Sequence, residues 1–294
     1  MTLPTWIQEL IDDGPVLLDG AWGTQLQARG MPPGQPPDLW NLSHPDRVEE
    51  VARAYVEAGS RIILTNTFRA NRIALADLGE VDLVREINIA GVEISRRACA
   101  GAARVFASIG PSGKLLATGA INQEQLHAAF EEQAAALAEG GADALVIETM
   151  GDLEEIELAI GAAQATGLPV VACMVFDSGK HKDRTMTGVT PEQAAEALAG
   201  YGADIIGANC GVGIEGFIPI AERLAAVTSK PIWIKANAGI PEFVNGEVRY
   251  SMTAEVFASY LKRLVESGAS FVGGCCGTSP EFIRALKATH LGSA

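Results

Sequence analysis

The sequence contains no apolar run approaching the roughly 18 residues that a membrane-spanning helix needs, and its first residues, Met1 to Leu10, lack the basic-then-apolar layout of a secretory leader. Positive charge is scarce. Against 36 Asp and Glu there are 22 Lys and Arg, a formal charge of −14. Such a surface repels phosphate backbones and anionic lipid, which excludes nucleic acid and the membrane surface as partners. Aromatic residues make up only 6%, and the four histidines (His44, His127, His181, His290) are scattered without the spacing of metal ligands. The five cysteines, Cys99, Cys173, Cys210, Cys275 and Cys276, are an odd count that does not build a disulfide framework. A cytoplasmic protein is expected, with thiols left for chemistry or metal binding. The sequon Asn41-Leu42-Ser43 is then a chance match.

What is present is apolar material: 48% hydrophobic residues and 32 glycines in 294 positions, enough for a sizeable core and against a disordered chain. Short apolar runs alternate with longer amphipathic stretches from end to end. Strands are expected at 16–18, 62–65, 105–109, 144–147, 170–175, 204–208, 232–235 and 270–273. Helices are expected near 46–58, 83–100, 124–139, 153–165, 192–199, 215–227, 254–266 and 280–288. The strand runs are continuously apolar, as parallel strands covered on both faces require. Ala58-Gly59-Ser60, Gly141-Ala142-Asp143, Gly202-Ala203-Asp204 and Gly268-Ala269-Ser270 form a weak internal repeat, each a glycine turn between a helix and the next strand. No shift of composition divides the chain. Eight βα units point to a single (β/α)8 barrel domain over residues 1–294, with a doubly wound open sheet as the alternative.

In such a barrel, residues just after the strands converge on one mouth. Asp19, Asn66, Glu148, Cys210, Asn237 and the pair Cys275-Cys276 occupy those places. Three thiolates suit Zn²⁺ and leave its fourth tetrahedral position open, the catalytic arrangement. Buried, inert cysteines remain the alternative, and Cys99 and Cys173 read as packing residues. Gly211-Val212-Gly213-Ile214-Glu215-Gly216 matches a dinucleotide fingerprint, but no acidic residue ends the next strand, so that reading is set aside. The loop Asp19-Gly20-Ala21-Trp22-Gly23-Thr24 offers amides for a carboxylate at a helix start. Lys235, closing the seventh strand, is a candidate Schiff-base lysine of a barrel aldolase, though a rim or ion-pair lysine is the plainer reading. A zinc-binding subunit without catalysis is a further alternative.

With these residues assembled, the chain resembles the homocysteine S-methyltransferase family. The likeness rests on Leu18 to Thr24, Thr65-Asn66-Thr67-Phe68, Gly110-Pro111-Ser112-Gly113, Ile147-Glu148-Thr149, Gly207-Ala208-Asn209-Cys210, Asn237-Ala238-Gly239 and Gly273-Gly274-Cys275-Cys276-Gly277-Thr278-Ser279-Pro280. The resemblance implies a (β/α)8 barrel in which Cys210, Cys275 and Cys276 hold a zinc that binds the thiol of homocysteine. It implies that Asp19 and Glu148 receive the substrate amino group and that Gly20, Ala21, Gly23 and Thr24 receive its carboxylate, with Asn66 and Asn237 in the same site. Asn237 matches a residue that can fill the open metal position before substrate arrives. Trp22 departs from the family pattern, where Met or Tyr is more usual. The pattern is closest to the homocysteine module of cobalamin-dependent methionine synthase, whose corrinoid sits on a separate domain with an Asp-x-His-x-x-Gly motif. No such motif occurs here. The resemblance thus implies either a partner protein carrying methylcobalamin or a small onium donor such as S-methylmethionine or betaine.

Overall fold

The parallel strands are β1 (Val16–Leu17), β2 (Ile62–Ile63), β3 (Arg104–Ile109), β4 (Ala144–Met150), β5 (Val170–Met174), β6 (Ile205–Gly213), β7 (Ile232–Asn237) and, beyond a hairpin of β8 (Pro241–Val244) and β9 (Glu247–Tyr250), β10 (Ala269–Gly274). Their order is β1-β10-β7-β6-β5-β4-β3-β2. In this computed structural model residues 3–292 are described, except 245 and 246. The Arg61 N–H donates to Leu17 O at 2.8 Å and Ser60 Oγ to Leu18 O at 3.0 Å, which brings β2 beside β1 and nearly closes the ring. The fold is a (β/α)8 barrel.

Seven of the eight helices expected from periodicity are present as single helices, and the four repeat glycines, Gly59, Gly141, Gly202 and Gly268, all take positive φ (112°, 89°, 90° and 102°). The open-sheet alternative falls, because the first and last strands of the chain's order pair in register, Val16 with Phe271 and Leu17 with Val272. Inside the barrel, Leu18 and Leu64, just past β1 and β2, form one buried cluster with the strand residues Phe106, Val146, Val171, Ile205, Trp233 and Phe271. Trp233 stacks on Phe106 with ring centroids 5.8 Å apart, and the helix Thr5–Asp12 buries Ile7 against the same cluster. A larger cluster lies between the outer strand faces and the helices, where Cys99 is buried, while Cys173 is buried in the inner one. Both are packing residues.

The structure differs from the pattern reading at the mouth. The strand expected at 204–208 continues through Cys210 to Gly213, with its register to β7 shifting between Asn209 and Gly213. Glu148 and Asn237 lie within the last turns of their strands rather than after them. The β8–β9 hairpin was not expected, although it flanks Asn245-Gly246, a dipeptide that favours hairpin turns. The stretch expected as one helix at 254–266 divides into Ala254–Ser259 and Leu261–Glu266.

Candidate metal and substrate site

Cys210 comes from the irregular end of β6, and Cys275 and Cys276 from the turn after β10. The Cys210 and Cys276 sulfurs lie 3.8 Å apart, and all three sulfurs lie within 4.8 Å of one another. Zn–S bonds of about 2.3 Å in a tetrahedron put neighbouring sulfurs about 3.8 Å apart, so spacing and donor chemistry both fit zinc. The backbone supplies the aim. Cys210 has φ 63°, in the left-handed region that a non-glycine residue adopts only under constraint, and so does Thr149. Gly277, at φ 82°, is needed for a second reason. A β-carbon there would lie 2.2 Å from the ring of Tyr250, which packs on this turn.

Hydrogen bonds from Cys275 and Cys276 lower the Cys210 thiol, and the same bonds raise the other two, Cys276 to about 11. Asn237 lies between Cys210 and Cys276: its Oδ1 accepts from the Cys276 N–H at 3.1 Å, and its side chain bonds the Cys210 sulfur. Tyr250 bonds the Cys276 sulfur.

Deeper in the mouth are the buried charges Asp19, Glu148 and Lys235. Glu148 accepts from Ser108 Oγ at 2.5 Å and from Asn209 Nδ2 at 3.1 Å, and its acidity is weakened by burial. Asn209 also accepts from the Thr149 N–H at 2.7 Å, so one buried amide holds the carboxylate and the strained residue beside it. Asp19 receives Lys235 Nζ on one oxygen, and Trp22 Nε1 at 2.8 Å and the Leu64 N–H at 2.7 Å on the other. Burial pushes the Lys235 ammonium down, but Asp19 and Glu148 outweigh it and hold the lysine protonated. A protonated, ion-paired amine is no Schiff-base nucleophile.

The loop after β1 is pinned from two sides. The Ala21 N–H donates to Thr278 Oγ1 at 3.1 Å and Tyr55 OH to Ala21 O at 2.7 Å. The Ala21 amide, expected to be free for a carboxylate, is therefore engaged. A β-carbon at Gly20 would meet Thr278 Oγ1 at 2.6 Å, which is why the loop needs glycine there. Thr24 Oγ1 is buried and has no hydrogen-bond partner among the described residues. Asn66 spends its amide on Pro37 O at 2.7 Å and Asn41 Oδ1 at 2.9 Å, tying two loops together. Ser108, Asn209, Tyr250, Tyr55 and Thr278 were not singled out as site residues by the sequence. Asn209 stands in the Asn-Cys phrase and Thr278 in the Gly-Gly-Cys-Cys-Gly-Thr phrase, but Ser108, Tyr250 and Tyr55 carry no local signal.

The homocysteine S-methyltransferase profile matches residues 16–290. The chain belongs to the homocysteine S-methyltransferase family. The relatives of this methyltransferase-family chain differ widely in length. Methionine synthase of Mycobacterium tuberculosis is 31% identical over 291 residues, covering 92% of this chain but 24% of that protein, and that of Mycobacterium leprae matches equally. The chain therefore spans about a quarter of the length of these curated relatives. The metallated form of the homocysteine methyltransferase MmuM from Escherichia coli superposes with a TM-score of 0.79 at 27% identity, covering 96% of this chain and 99% of that one. The likeness to methyltransferases, with Lys235 ion-paired, removes the aldolase alternative. Among the described residues no helix is long and apolar enough to cross a membrane.

Proposed function

We propose that the chain methylates the sulfur of homocysteine to form methionine, taking the methyl group from methylcobalamin carried by a separate protein or domain. The observation that carries this reading is the three-cysteine cluster at the barrel mouth, with sulfurs spaced for a tetrahedral metal, beside a buried carboxylate. The donor half leans on the methionine synthases, whose sequence likeness covers 92% of this chain. MmuM matches nearly end to end, so direct use of a small onium donor such as S-methylmethionine or betaine is the second reading.

Cys210, Cys275 and Cys276 would hold the zinc. When bound, zinc lowers the pKa of a coordinated thiol so that it is a thiolate at neutral pH, where a free thiol is only a few per cent ionised. The chain's own residues do the rest. Glu148 receives the substrate ammonium, and Ser108 and Asn209 hold its carboxylate in place. Thr24, with the amides at Gly23 and Thr24, receives the substrate carboxylate, while Gly20 and Ala21 let the loop lie against Thr278. Asn66 keeps the neighbouring loop in position. Asn237 aligns Cys210 with Cys276. The homocysteine sulfur forms a bond to the methyl carbon, the donor leaves with the electrons of the bond it loses, and the thiol proton goes to solvent.

The test is a donor screen with homocysteine, comparing methylcobalamin, S-methylmethionine and betaine by methionine formed. Methionine from methylcobalamin alone supports the first donor, and methionine from an onium donor alone would overturn it. Binding has its own signature. Calorimetry in two buffers of different ionisation enthalpy should count close to one proton released on adding homocysteine, and none with homoserine.

A further inference from the structure

Two carboxylates and one ammonium are buried together at this mouth, and their hydrogen bonds are shared unequally. Asp19 is wholly buried and Lys235 is 2% exposed. Three donors already converge on Asp19, one of them charged. A carboxylate offers about four lone-pair sites, so three are spent inside the chain. Glu148 accepts only from the neutral donors Ser108 and Asn209, and among the described residues it has no ion pair. It is 7% exposed, against none for Asp19. Lys235 acts on Glu148 through charge but without a hydrogen bond, so a further cation entering the mouth finds one carboxylate already hydrogen-bonded to an ammonium and one that is not.

We propose that Lys235 is a specificity-determining residue that takes on Asp19 the place of a substrate ammonium, leaving Glu148 as the single carboxylate that reads the amino group. Trp22 completes the arrangement by covering the other Asp19 oxygen. Asp19 is then a positioning residue, holding Lys235, Trp22 and the Leu64 amide around the mouth, and not a direct contact of the substrate. This differs from what the family resemblance implies for Asp19. It rests on the reading of homocysteine as the acceptor, and the lysine assignment makes that site fit a thiol with one positive charge.

The test compares equilibrium binding of homocysteine with that of 4-sulfanylbutanoate, which keeps the thiol and carboxylate but lacks the amino group. Zinc-loaded protein is titrated with each thiol by calorimetry, after zinc content and thermal melting have been checked for every variant. The wild-type protein should prefer homocysteine by roughly 10- to 100-fold, the loss expected when a charge-assisted hydrogen bond is missing. Glu148→Gln should abolish that preference. The double variant Asp19→Asn with Lys235→Met, which removes the internal pair without changing net charge, should keep it. A double variant that loses the preference as fully as Glu148→Gln would show that Asp19 touches the ammonium, and the proposal would be overturned. If the double variant does not fold, Glu148→Gln decides alone: a preference of about tenfold or more remaining in it would mean that a second carboxylate reads the amino group. Wild-type protein with no preference at all would instead overturn homocysteine as the acceptor, before any question about Lys235 arises.

Discussion

At the scale of single residues, the same chemical group has different roles according to what surrounds it. Cys99 and Cys173 are buried among hydrocarbon and their thiols are pushed up, Cys99 to about 12, which keeps them protonated and inert. Cys210, Cys275 and Cys276 are half-buried and face each other. Alanine at any of these three should remove most of a bound zinc measured by metal analysis, whereas Cys99→Ala and Cys173→Ala should retain it. Asn209 shows how a neutral residue carries a site. Asn209→Ala leaves Glu148 and the Thr149 amide short of partners, and a buried polar group left unpaired costs about 1–3 kcal/mol. The expected outcome is a KM for homocysteine raised about tenfold or more with zinc content unchanged. Asp38 gives a pH signature away from the site. Burial raises its pKa from 3.8 to about 6, opposed by the Arg69 N–H that it accepts. The folded state therefore binds this proton more tightly than the unfolded state, and stability falls as pH rises through that window, with the penalty complete above it. Asp38→Asn should remove that part of the slope and raise stability at neutral pH by about 2–3 kcal/mol, read from urea unfolding at pH 4, 5, 6 and 7.

At the scale of elements, helix starts are written in the sequence, whereas the hairpin at the mouth is marked by a single Asn-Gly dipeptide. The helices Gln123–Glu139 and Pro191–Gly200 begin with capping boxes, Asn122 with Gln125 and Thr190 with Gln193, each closing both reciprocal hydrogen bonds. Asn122→Ala and Thr190→Ala should each lower unfolding free energy by about 0.5–2 kcal/mol in denaturant titration without moving the site. The helices were legible because one apolar face recurs every 3.6 residues. The strands β1 and β2 shrink to two paired residues each, although apolar runs predict three and four. Beyond those pairs the chain turns to place Asp19 and the Thr65 to Thr67 segment in the mouth, and side-chain bonds such as Thr65 to Thr67 at 2.6 Å replace the ladder. A run of apolar letters does not record where a strand stops pairing.

At the scale of the whole molecule, the three cysteines proposed to hold zinc join the end of β6 to the turn after β10, which the barrel ring places either side of β7. Metal bound there clamps parts of the chain that are 65 residues apart, between Cys210 and Cys275. Binding to the folded state alone stabilises it by mass action, about 2.7 kcal/mol at a free metal level a hundredfold above Kd. Zinc should therefore raise Tm in a thermal melt, and a chelator should reverse the rise. In the Cys210→Ala variant zinc should leave Tm unchanged, since two thiols do not make the site.

The sequence alone determined the eight βα units and, through them, which end of the barrel would carry chemistry. Periodicity and glycine turns are local properties, and parallel strands covered on both faces leave few other ways to bury so much aliphatic surface. It also marked Cys210, Cys275, Cys276, Glu148 and Asp19, because reactive residue types recur just after strands. Only the tertiary structure decided how those residues are paired. That Lys235 binds Asp19, 216 positions away, that Asn209 bridges Glu148 and Thr149, and that the Ala21 amide is taken by Thr278 all depend on contacts between distant segments. Hydrogen-bond partners are set by angstrom-scale distances inside a closed ring, and nothing in the linear order of residues fixes those distances.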